Sequence, residues 1–319
     1  MIYINSQSAV EYWFNGTRRN FPEQPFNRVD IKKEYADSDF LDRVNLPEPV
    51  NLMIGSANNR TPNDRIRYSV KPAHLPAKSF IKVTDGVCVA CPELCFLQAA
   101  NYLDLAYLVE FGNYLCGCYV YDGHDMYLQR SREPITNVKR IEKFLDSAAN
   151  VRGVKPARRA LKYVRDGSGS PMESRILAFF FIRVADGGLG LKPGTANGKV
   201  KLSENASRLV NTKYLRVDIL WESDKFAFEY DSTMGHENEM QRRYDCNRQS
   251  ALNQSGYSVM RATRDNFSSF QRIENMADSI RKGIGTEKKD GRLEKYRDKR
   301  YKLMCHLFRE EHSFFALEG

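Results

Sequence analysis

An α/β class is predicted for this 319-residue chain by three observations. Short runs of branched and aromatic residues, punctuated by Pro, Gly and Asn, fill residues 50–90. Apolar residues at helical spacing fill 92–164, and the two patterns alternate again from residue 170 to 263. Taken in order, a short helix at 8–14 anchored by Tyr12 and Trp13 precedes an irregular arm around Pro22 and Pro25. Strands are read at Val50–Ile54, Ile66–Val70, 80–83 and Val87–Ala90. Pro92 and Glu93 open a helix, with proline at its first position and an acid in its first turn; helices follow at 105–117, 137–149 and 154–164. The run Asp166-Gly-Ser-Gly-Ser170 reads as a flexible boundary.

Beyond that boundary, Ser170-Pro-Met-Glu173 is a helix start, with Ser as N-cap, Pro at N1 and Glu at N3, before an apolar run at 176–184. A strand at 200–202 and a loop lead to two apolar runs, Tyr214–Trp221 and 226–230, which the polar turn 222–225 joins as an antiparallel hairpin. A polar helix at 239–255, a Ser255-Gly256 turn and a strand at 257–261 complete an αβββαβ order, a mixed sheet with a helix on either side. Three parts are expected: an N-terminal α+β accessory domain (1–165), the α/β block (166–270) and a basic helical extension (271–319). In that extension Leu293, Tyr296, Arg300, Leu303, Met304, Leu307 and Phe308 share a face that suits packing on the block, a second copy in a homodimer, or DNA.

Composition is ordinary for a globular protein, 42% hydrophobic and 28% charged, and no run of about 18 apolar residues offers a membrane span. The first twenty residues do not read as a secretory signal, so a cytoplasmic protein with reduced thiols is expected. Seven cysteines are present, and Cys88-x-x-Cys91 with Cys116-x-Cys118 has imperfect spacing for zinc within apolar surroundings, which favours buried thiols. His124 and Asp125 read as a solvated turn. Net charge is +9, and residues 281–302 hold ten Lys or Arg against four Asp or Glu, a balance that suits a polyanion such as nucleic acid.

The chemistry concentrates in the hairpin. A carboxylate buried without a partner costs several kcal/mol, yet Asp218 interrupts the first apolar run and Glu229 and Asp231 close the second. Glu229 and Asp231, two apart on a strand, share a face. Asp231 also suits a turn start, and a capping box accounts fully for Glu173, whose carboxylate is the fourth candidate. Acids converging from neighbouring elements make a hard oxygen site for Mg²⁺ or Mn²⁺, and that chemistry is phosphodiester hydrolysis. Asp218, Glu229 and Glu173 are the expected metal ligands. His236, with an ordinary pKa of about 6.5, is the expected proton acceptor. Arg242, Arg243, Arg248 and Arg261 are the expected phosphate clamps, with Asp245 orienting an arginine.

The ordered set Glu173, Val217-Asp218, Glu229-Tyr-Asp231, His236, Arg243-Tyr-Asp245-Cys-Asn-Arg248 and Gly256-Tyr-Ser-Val-Met-Arg261 resembles the PD-(D/E)XK, or restriction-endonuclease-like, superfamily. Within it, the set is most similar to the domain related to very-short-patch-repair endonucleases. The resemblance covers about a third of the chain and implies a restriction-endonuclease-like mixed sheet and a metal-dependent DNA endonuclease, in defence or repair. The superfamily's lysine is replaced by Asp231, Ser232 follows where glycine is usual, and the loop before His236 is longer. Upstream, residues 86–103 and Gly153-Val-Lys-Pro-Ala-Arg-Arg-Ala-Leu161 resemble the region preceding this domain in actinobacterial proteins, some similar to abortive-infection antitoxins of type IV toxin–antitoxin systems. A catalytically inactive DNA-binding regulator that keeps the fold, and a protein partner for the N-terminal region, are the alternatives this implies.

Overall fold

Pro, Gly and Asn between short branched runs leave the first ninety residues one economical solution, which is to close the runs into a single sheet. The computed structural model describes residues 1–14, 24–25, 46–61, 63–120, 130–231, 239–286 and 290–308. Strand β1 (Ile2–Ile4) leads into helix α1 (Ser6–Phe14), then β2 (Gln24–Pro25), β3 (Val50–Ile54), β4 (Ile66–Val70), β5 (Phe80–Thr84) and β6 (Val87–Ala90). Their order across the sheet is β2-β5-β6-β1-β3-β4, with β1 parallel to β6 and antiparallel to β3. The four predicted strands are present, and β1, three residues long, is an addition to them. Trp13 donates its indole N–H to the Ala90 carbonyl at 2.8 Å, which holds α1 against β6.

Helices α2 (Pro92–Ala99) and α3 (Leu105–Leu115), the short β7 (Tyr119–Val120) and β8 (Arg130–Ser131), then α4 (Val138–Ser147) and α5 (Val154–Leu161) follow, with α2 packed against α1. Asp104 and Asn137 cap α3 and α4 through their side chains. Most of the predicted arm, and the loop holding His124 and Asp125, lie outside the described residues.

The boundary at 166–170 is a correction to the sequence reading, because it is pinned. Gly167 donates to the Cys116 carbonyl at 2.9 Å, Cys118 donates to Ser168 at 2.8 Å, and Asp166 accepts from the Val138 N–H at 2.8 Å. Ser168 is fully buried, its hydroxyl 2.9 Å from that of Ser174. Residues that look like a linker are here held by hydrogen bonds, and Gly167 sits at φ 87°, a backbone conformation that favours glycine.

Helix α6 (Pro171–Phe181) follows, buried along nearly its whole length. Then come β9 (Thr195–Lys201), α7 (Glu204–Val210), β10 (Tyr214–Trp221), β11 (Phe226–Asp231), α8 (Glu239–Gln254) and β12 (Ser258–Thr263). The sheet order is β12-β11-β10-β9, antiparallel except for the β11–β12 pair. The expected αβββαβ order is therefore present, with two differences. The strand read at 200–202 starts at Thr195, and part of the predicted loop is α7, which Ser203 caps and Asn211 ends at φ 51°. Phe180 meets Phe228 edge-on at 5.1 Å, which sets this sheet on α6.

Helices α9 (Phe270–Gly283), α10 (Asp290–Lys295) and α11 (Arg297–Phe308) complete the described chain. Leu303, Met304 and Leu307 are buried, and Phe308 meets Phe179 of α6 at 5.6 Å. The apolar face that the sequence offered to a homodimer is thus covered within the chain. One hydrophobic core runs from Tyr3 to Leu307 and draws on all three predicted parts; a smaller one, with Val217, Leu220 and Leu252, fills the space under α8. No helix among the described residues is long and apolar enough to cross a membrane.

At the centre of the larger core Arg175 of α6, fully buried, donates to Glu110 of α3 at 2.8 Å. Removing one member strands the other charge in apolar surroundings, which costs about 3–5 kcal/mol. Chemical denaturation of Arg175→Met is expected to show a loss of that order, and the double change Arg175→Met with Glu110→Gln to recover most of it.

Candidate active site

Each acid is positioned by an element whose local chemistry explains it. Ser170 accepts the Glu173 N–H at 3.1 Å, and Glu173 returns a carboxylate oxygen to the Gly169 N–H at 2.6 Å. The expected capping interaction is present, reaching one residue further back than the N-cap itself. Burial pushes the Glu173 carboxyl up, against the opposing pull of Gly169 and Ser170.

Asp218 is partly buried in β10, and its carboxylate accepts the Tyr230 N–H of β11 at 2.6 Å. Next to the Ile219–Phe228 pair of the ladder, Asp218 and Glu229 occupy adjoining strands. Burial, then the charge of Glu173, then that of Glu229 push the Asp218 carboxyl up to about 8, while the Tyr230 N–H and Arg248 oppose the rise. Glu173, Asp218 and Glu229 are therefore brought into one electrostatic neighbourhood.

Glu229, only 7% exposed, is answered differently. Arg248 donates to one of its oxygens through Nε at 3.1 Å and also through Nη2, and Arg261 lies 3.3 Å from the other oxygen. Arg248 also donates to the Arg216 carbonyl, tying α8 to β10. Two of the four expected phosphate clamps are thus engaged with a carboxylate. Arg242 and Arg243 are exposed on α8. Asp245 accepts from Arg261 at 3.4 Å through its main-chain carbonyl. Asp231 is partly buried at the end of β11, opposite Thr263, and His236 lies outside the described residues.

Among the described residues no three His, Cys, Asp or Glu side chains group so as to hold a metal. Glu229 is paired with two arginines, whereas Asp218 and Glu173 form no ion pair among the described residues. Two carboxylates still suit Mg²⁺, which keeps several waters and takes one or two protein ligands plus substrate phosphate. The cysteines are free thiols, with Cys88, Cys91, Cys95 and Cys116 buried, and burial pushes the Cys88 thiol up to about 11. Beside the acids, a groove of about 500 Å³ is lined by Met260, Arg261, Asn266 and Arg272 among others, so Arg261 borders both. The sequence reading missed Lys199, Lys201, Tyr214 and Arg216, exposed on the sheet that carries Asp218. Their signal was the alternation of exposed and buried positions, legible only once β9 is known to start at Thr195.

Comparison with protein-family models, curated proteins and solved structures finds no match to this chain.

A carboxyl held neutral in the folded state and ionised in the unfolded state makes stability fall as pH rises between the two values. For Asp218 that window runs from its ordinary 3.8 to about 8, with a limiting slope of about 1.4 kcal/mol per pH unit. Asp218→Asn is expected to exceed wild type in urea denaturation at pH 8, with the difference vanishing towards pH 4.

Proposed function

We propose that the chain is a metal-dependent endonuclease that hydrolyses DNA phosphodiester bonds on a restriction-endonuclease-like core. The observation that carries the reading is the convergence of Glu173 from the first turn of α6 with Asp218 and Glu229 from the β10–β11 hairpin. The αβββαβ order supports it, as does the resemblance of the ordered motifs.

In this reading Asp218 and Glu173 would hold Mg²⁺ or Mn²⁺, which when bound supplies water activation and neutralises phosphate charge. Glu229 holds Arg248 and Arg261 in place, and the donors that the carboxylate does not use face the phosphate. Arg242 and Arg243, exposed on α8, contact flanking phosphates, and His236 accepts the proton from the attacking water. Asp231, at the end of β11, would serve as an auxiliary ligand. A role in defence or repair in the cytoplasm accords with this activity.

The pairing of Glu229 with Arg248 and Arg261 favours a second reading, a DNA-binding regulator that keeps the fold without catalysis. Plasmid nicking separates the two. The endonuclease reading predicts cleavage that needs Mg²⁺ or Mn²⁺ and falls to background in Asp218→Asn. Retained DNA binding with no metal-dependent cleavage of duplex, single-stranded or mismatched DNA supports the regulator instead.

A further inference from the structure

Burial alternates along the edge strand β9 of the second sheet and along β10, the strand beside it. In β9, Ala196, Gly198 and Val200 are buried while Lys199 and Lys201 are exposed; in β10, Leu215 and Val217 are buried while Tyr214 and Arg216 are exposed. The register sets Lys201 opposite Tyr214 and Lys199 opposite Arg216, so the four side chains form one patch. The Lys199 ammonium lies 3.9 Å from the centre of the Tyr214 ring, which is itself 43% exposed. Arg216 is two residues from Asp218 on the same strand, so the patch runs towards the acids.

Lysine on an exposed edge strand commonly guards against edge-to-edge pairing. That role accounts for Lys199 and Lys201 on β9, which is the edge, but does not extend to the inner strand, where Tyr214 lies under the Lys199 ammonium and Arg216 donates to the Asn197 carbonyl at 3.4 Å. Like charges directly opposite one another destabilise a sheet, and Lys199 faces Arg216 in this way. Neither Lys199, Lys201 nor Arg216 forms an ion pair with any described residue. Repulsion of this kind is relieved by an anion lying across both strands. An exposed ring among the cations adds a platform for an unpaired base, whereas in a duplex the base faces are already stacked.

We propose that the face formed by Lys199, Lys201, Tyr214 and Arg216 binds single-stranded DNA and leads the strand to Asp218. The three cations contact successive phosphates, and a base stacks with Tyr214. The direction of travel and the choice of DNA over RNA rest on the endonuclease reading; the binding of a single strand does not.

The test is fluorescence anisotropy with the full chain in EDTA, using labelled oligothymidine, a duplex hairpin of equal length and oligouridine, over a salt series. Wild type is expected to bind oligothymidine most tightly. Lys199→Glu with Lys201→Glu should weaken that binding tenfold or more, and Lys199→Gln with Lys201→Gln should lower the salt slope by about 1.4, or roughly 0.7 for each phosphate left without its lysine. Tyr214→Ala should cost roughly tenfold for oligothymidine and little for the hairpin, with Tyr214→Phe restoring wild-type affinity. Thermal melting of each variant confirms that it folds. The proposal is overturned if folded charge-reversal or Tyr214→Ala protein binds oligothymidine as wild type does, or if hairpin or oligouridine is preferred. Asp218→Asn should bind oligothymidine at least as tightly as wild type. Loss of the endonuclease reading would appear as absent cleavage with this binding pattern intact, and loss of the strand track as intact cleavage with unaltered binding.

Discussion

Everything on either side of the molecule leans on one buried helix, Pro171–Phe181. Its body supplies Phe179, Phe180 and Phe181 to the core, and its first turn supplies Glu173 to the acid cluster. The buried Arg175–Glu110 pair fixes its rotation against the N-terminal helices, and the Phe180–Phe228 contact fixes it against the second sheet. A helix so constrained cannot swing its first turn away from the hairpin without disturbing the larger core, because interiors packed to near-crystalline density have no slack to absorb the change. The catalytic proposal therefore inherits its rigidity from packing that has no chemical role of its own.

Charge in the hairpin is distributed unevenly, and that inequality gives the site its character. Glu229 has two guanidinium partners, whereas Asp218 has a main-chain N–H and two acidic neighbours. The first arrangement is a closed ion-pair network; in the second, burial and the neighbouring acids keep Asp218 protonated up to about pH 8, and a divalent cation in place of that proton would balance the acids. The pairing of Glu229 is why the endonuclease and regulator readings are both physically coherent. Arg248 bridges the two possibilities, since it contacts Glu229 and the Arg216 main chain together and so links α8 to the strand bearing Asp218.

Much of the fold was legible because local and global signals agree. The strands at Val50–Ile54 and Val87–Ala90 are bounded by turn residues and filled with branched ones, and Ser170 with Glu173 announces its helix unambiguously. The errors fall where a residue type serves two ends. Gly167 and Ser168 have linker composition but are hydrogen-bonded to Cys116, Cys118 and Ser174, and a one-dimensional pattern does not show what lies opposite them. β9 was shortened in the reading because Asn197 at φ 49° and Gly198 look like breakers, yet both sit within the strand. The periodicity around Leu303 and Leu307 marks an apolar face but does not separate packing on the block from a second copy or DNA, and only the fold names α6 as its cover. For the site, the acids were visible as misfits in apolar strands. The capture of Glu229 by Arg248 and Arg261 was not, because it depends on how a helix and a parallel strand return to the hairpin.

Calorimetric titration of the full chain with Mn²⁺ at pH 8, wild type against Asp218→Asn, tests most directly whether the acid cluster exists to receive a cation. A saturable binding event in wild type that Asp218→Asn abolishes is the predicted result. Indistinguishable titrations of the two proteins would contradict the account.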